Sequence, residues 1–130
     1  MRDTDHFSIS NTTKGKLPRL PFVMMKEKVL GKNYELSLVF VSPAKAKKLN
    51  LEYRKKTYVP NILSFPLNDS SGEIFICLDV AKKEAPLYDL NFEKFVGYLF
   101  IHGLFHLNGM EHGSTMEKSE KKLRTLFDIK

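Results

Sequence analysis

HGLFHLNGMEH, residues 102–112, carries three of the four histidines in the 130-residue chain, and its spacing decides how the rest is read. His102 and His106 are four apart, so on a helix they share one face and can point ring nitrogens at one ion. They continue the apolar stripe of Phe95 and Leu99, which places them on the core-facing side. His112 comes six residues later, where a continuing helix would carry it about 120° off that face. It joins the other two only if the chain stops and folds back, and Gly109 stands where a left-handed turn would do so. Three neutral imidazoles around one point suit Zn²⁺ and leave a fourth position open, which is the catalytic rather than the structural pattern.

Working outward, Asp89 or Asn91 can cap the helix that carries the first two histidines, with Glu93 in its first turn and an end near Leu107. Ser114 can cap a last helix to about Phe127, with Leu123 and Leu126 turned inward. Upstream, EIFICL (73–78), ILSF (62–65) and YELSLVFV (34–41) read as strands, and HFSIS (6–10) as a short edge strand. Ser42-Pro43 has the form of a cap followed by a first-turn proline, opening a helix to about Lys55 with Ala46, Leu49 and Tyr53 on its inner face. Apolar positions between Leu17 and Leu30 keep helical spacing up to Gly31, with Pro18 and Pro21 tolerable only in a first turn. A polar stretch containing Pro86 reads as a connection. The expected architecture is α+β, a small mixed sheet of about four strands packed with helices. No repeat or linker divides residues 1–130, so one domain is expected.

Composition sets the frame. A hydrophobic share of 42% with 28% charged residues is that of a globular protein and excludes disorder as the default. No apolar run reaches the roughly 20 residues needed to cross a bilayer, and MRDTDHFSIS lacks the apolar core of a signal peptide. A single cysteine, Cys77, reads as a buried small hydrophobe in a reducing compartment, so a cytoplasmic protein without membrane partners is expected. His6 is expected at the surface, and Met24 and Met25 in helix packing. The net charge of +6 is unevenly spread. Residues 14–60 hold twelve basic and three acidic side chains, whereas the rest holds nine basic and twelve acidic. A basic segment of that size favours a polyanion such as nucleic acid, although a lysine-rich solvated surface has the same composition.

The histidine spacing equals that of the metzincin zinc peptidases, H-E-x-x-H-x-x-G-x-x-H. Their general-base glutamate, however, falls on Gly103, and glycine cannot accept a proton. A closer resemblance is to the YbeY-type endoribonucleases. Their hallmark H-G-x-L-H-L-x-G-x-D-H matches residues 102–112. A second, approximately L-N-x-x-Y-R-…-T-D-V-L-S-F-P, matches LNLEYRKKTYVPNILSFP at residues 49–66, and a G-D-I-x-I strand matches residues 72–76. This chain departs from the pattern at Glu111, where the family has aspartate, at Pro60-Asn61, where it has Thr-Asp, and at Phe105, which follows Leu104 and stands at the hallmark's leucine.

The resemblance implies a single zincin-like domain, one zinc ion on His102, His106 and His112, and a functional role for Arg54. It further implies single-strand-specific endoribonuclease activity in ribosomal RNA maturation and ribosome quality control, with ribosomal particles and ribosome-associated proteins as partners. A guanidinium such as that of Arg54 can clamp a phosphodiester through two parallel hydrogen bonds. Two other readings fit the residues: a zinc-stabilised accessory protein that binds ribosomal RNA without cutting it, and a zinc peptidase, against which Gly103 argues.

Overall fold

The computed structural model describes residues 6–129, so the opening residues read for a signal peptide fall partly outside it. Elements follow the alternation of apolar periods. β1 (Phe7–Asn11) leads to α1 (Phe22–Leu30), β2 (Glu35–Val41) and α2 (Pro43–Arg54). Then come β3 (Ile62–Asn68), β4 (Ser71–Cys77), α3 (Leu78–Glu84) with a 3₁₀ turn (Ala85–Tyr88), α4 (Phe92–Leu107) and α5 (Ser114–Leu126). One sheet has the order β1-β2-β4-β3, with β1, β2 and β4 parallel and β3 antiparallel at the edge.

Alternation along the strands assigns the two faces. Phe7, Ile9, Leu36, Leu38, Phe40, Ile74 and Ile76 are buried in the main core with Phe22 and Met25 of α1 and Phe95, Leu99 and Phe100 of α4. Val41 and Cys77 point the other way, where Ala46 of α2 covers them beside Val39 and Phe75. Burial pushes the Cys77 thiol up from its ordinary range. Close approach of α4 to the sheet depends on Gly103, because a Cβ there would stand 2.8 Å from Ser64 Oγ and 2.9 Å from Ile62 Cδ1.

The caps at Ser42 and Asn91 form as the sequence suggests: their side chains accept from Lys45 N at 3.2 Å and Lys94 N at 2.8 Å. Elsewhere the structure corrects the reading. α1 begins only at Phe22, since two prolines three residues apart cannot both occupy a first helical position; Pro21 stands just outside as its cap. Tyr53 faces solvent and Asn50 takes the inward place on α2. β3 continues through Pro66 to Asn68, which an edge strand allows because the missing N–H faces no neighbour. The stretch read as a connection after Leu78 folds as α3, a short helix held by the buried Leu78 and Ala81, with Ala85 of the 3₁₀ turn buried after it, rather than by a conspicuous apolar stripe. α5 starts on Ser114 with Gly113 as its cap, and Leu126 points outward. His6 is partly buried, and of the two methionines only Met25 is packed inside.

Candidate metal centre

α4 delivers two histidines from one rigid rod. Its sixteen residues are buried along most of their length, but His106 is exposed and His102 only half-buried, so the pair lies at the rim of the core. Their ring centroids are 5.5 Å apart. The helix then stops as the glycine signal requires. Gly109 adopts φ 85°, its N–H donates to His106 O at 3.1 Å, and Met110 N–H donates to Phe105 O at 3.2 Å. The reversal swings His112 back until its ring centroid lies 5.0 Å from that of His102 and 4.7 Å from that of His106.

One nitrogen from each ring can be chosen so that all lie within 4.8 Å of one another, and Nε2 of His106 and Nε2 of His112 are 2.9 Å apart. Tetrahedral zinc–imidazole bonds of about 2.0–2.1 Å require nitrogens roughly 3.3 Å from each other, so small ring rotations would admit an ion. Partial desolvation of the ring by its surroundings lowers the His106 pKa, and the charges of His102, His112 and Arg54 lower it further against the opposing effect of Glu120. A neutral imidazole is the form that binds metal, so this environment favours the competent state.

Sequence reasoning missed Glu120. Its carboxylate is buried on α5, with Oε2 3.0 Å from His102 Nδ1 and Oε1 3.6 Å from Arg124 Nη1. That bond fixes the proton on Nδ1 and leaves Nε2 of His102 as the nitrogen for an ion. Met116, Glu120 and Leu123 are the buried residues of α5, so a glutamate on an otherwise apolar helical face was the available signal. Glu111, by contrast, is exposed. A pocket of about 360 Å³ adjoins His102 and His112, lined also by Tyr98, Met116, Glu120 and Arg124.

Arg54 is the last residue of α2, where Lys55 takes a left-handed conformation (φ 60°) and turns the chain back. Asn50, fully buried, donates from Nδ2 to Tyr58 O at 3.0 Å and accepts from Arg54 Nη1 at 3.1 Å. Arg54 Nη1 also donates to Tyr58 Oη at 2.9 Å. The guanidinium is thus exposed yet held, near enough for its charge to act on His106. The structure brings His102, His106 and His112 to one point and holds Arg54 at the end of α2.

The family model described as Endoribonuclease YbeY matches residues 3–128. The chain belongs to the endoribonuclease YbeY family. Among its curated members, the chain is 34% identical to the endoribonuclease YbeY of Mesoplasma florum over 82% of this chain and 66% of that one. It is 37% identical to that of Bdellovibrio bacteriovorus over 73% and 62%, and 31% identical to that of Staphylococcus carnosus over 90% and 85%. The chain thus spans just under two thirds of the length of the first two. The fold is similar to the solution structure of TM1509 from Thermotoga maritima, with a TM-score of 0.62 and 26% identity over 90% of this chain and 85% of that one. Against the YbeY pattern, the position of the absent aspartate is instructive: Asn61 donates from Nδ2 to Glu84 Oε1 at 2.8 Å, tying the entry of β3 to α3. The glutamate position of the zinc peptidases, Gly103, faces the sheet and has no room for a side chain.

Proposed function

We propose that this protein is a metal-dependent endoribonuclease that cuts single-stranded RNA, with one zinc ion held by His102, His106 and His112 and Arg54 as the phosphate clamp. The observation that carries this reading is the convergence of three histidine rings, one of them braced by a buried carboxylate. Zinc in such a setting supplies Lewis acidity toward a phosphoryl oxygen and toward water. The chain's own residues do the rest. Glu120 keeps the His102 proton on Nδ1. Asn50 and Tyr58 hold Arg54 through Nη1, leaving its other donors for phosphate oxygens. Following the family resemblance, the RNA is ribosomal, the setting cytoplasmic, and ribosome-associated proteins are the partners.

The test is cleavage of a single-stranded RNA by protein of measured zinc content, beside His106→Ala and Arg54→Ala. Cleavage is expected from the parent alone. Equal cleavage by all three would identify a contaminant and end the proposal. Chelation-resistant RNA binding without cleavage at any metal level would make the chain a metal-stabilised RNA-binding protein instead.

A further inference from the structure

The endoribonuclease reading leaves unexplained why Tyr53 stands 66% exposed one turn after the buried Leu49 and Asn50 of α2. Its ring lies 5.2 Å from Phe65 of β3, and Phe65 lies 5.8 Å from Phe75 of β4, so three rings run from solvent onto the sheet. They occupy the face away from α4, since Ile62 and Ser64 point toward Gly103 and the alternate residues of β3 point opposite. Leu67, two residues on in β3, is 61% exposed, and Tyr58 beyond the helix end is 52% exposed.

The charge around these rings is one-sided. Residues 43–58 contain Lys45, Lys47, Lys48, Arg54, Lys55 and Lys56 against a single acid, Glu52, and all six cations are exposed. This surface ends at Arg54, which follows Tyr53 directly and is held by Asn50 and Tyr58.

We infer that the α2–β3 surface is a stacking track for single-stranded RNA, with a base seated on Tyr53 and the backbone drawn along the α2 cations toward Arg54. The inference rests on the endoribonuclease reading and adds to it the path of the strand. Cations alone would suit any polyanion. Exposed rings set among them suit one whose π-faces are free, because a duplex keeps its bases stacked inside and an acidic protein has none.

The experiment measures binding of an unstructured fluorescent RNA of about ten nucleotides, in chelator so that nothing is cut, and separately cleavage by the zinc-loaded protein. Duplex RNA and polyglutamate are the comparison probes. Tyr53→Ala is expected to weaken single-strand binding about five- to a hundredfold, the range of a lost base–aromatic stack. Tyr53→Phe keeps the ring and should bind within about twofold of the parent. Tyr53→Leu keeps an apolar cover on Phe65 without a π-face, so it should bind as weakly as the alanine variant while preserving the fold. Duplex and polyglutamate binding should be unchanged in all three and fall in Lys47→Glu/Lys48→Glu.

Single-strand binding by Tyr53→Leu equal to the parent's would overturn the track. So would an equal loss for duplex and polyglutamate, which would make the surface a general polyanion or acidic-protein site. If the parent cleaves RNA while Tyr53→Leu binds normally, only the track fails. If the parent neither binds nor cleaves RNA, the endoribonuclease reading fails first and takes the track with it.

Discussion

The three-histidine centre and the α2 surface that ends at Arg54 are built on opposite terms. The histidines hang from α4, whose other faces are buried and whose Gly103 lies directly on β3 and β4, and His102 is braced by an interior carboxylate. Arg54 and Tyr53 sit at the open end of α2, and one buried amide, Asn50, does most of the holding. Ligands to a metal must be held to within tenths of an ångström, which asks for backing from two elements. A surface for a flexible polyanion asks for exposure and charge, and tolerates movement. The contrast predicts that the two regions can be disturbed separately.

The largest break is expected from His106→Ala, which removes one of three ligands. Zinc affinity should fall by more than about a hundredfold, read by competition with a chelating dye, while single-strand RNA binding in chelator stays at the parent level. Glu120→Ala should come next, lowering zinc affinity about ten- to a hundredfold by freeing the His102 ring, with Glu120→Gln closer to the parent because it still offers an acceptor. On the other side of the comparison, Asn50→Ala leaves Tyr58 O without its donor and Arg54 without its brace. It should cost about 1–3 kcal/mol in denaturant unfolding and slow cleavage, with zinc affinity unchanged. A fall in zinc affinity there would show that the two regions are mechanically one. The smallest effect is expected from Glu111→Gln. An exposed side chain that does not brace a ligand should leave zinc affinity within about twofold.

What could be read from the sequence follows from the range of each signal. The histidine turn was legible because its determinants, a four-residue repeat and Gly109, are neighbours in the chain and act through backbone geometry. The Ser42-Pro43 and Asn91 starts were legible for the same reason. The family motifs added Arg54, whose composition alone marks it as a surface residue. Glu120 was not found, since its partner is eighteen residues away and only packing of α5 on α4 reveals it. The inner face of α2 was misjudged at Tyr53 because hydrophobicity favours a tyrosine over Asn50. The returning loop, by offering Tyr58 O and Arg54 as partners, makes the amide the better buried group. α3 escaped notice because alanines at 81 and 85 bury well without standing out among lysines.

Cys77 gives the molecule a built-in clock. It is 1% exposed at the end of β4, under α2 and away from the histidines, with its thiol held in the unreactive protonated form by burial. A maleimide can reach it only when the cover of Ala46, Val59 and Val80 parts from the sheet. The labelling rate therefore times the opening of the α2 side, apart from the histidine side. If RNA rests on α2 it should slow that clock, whereas zinc should slow it only as far as the whole fold is steadied.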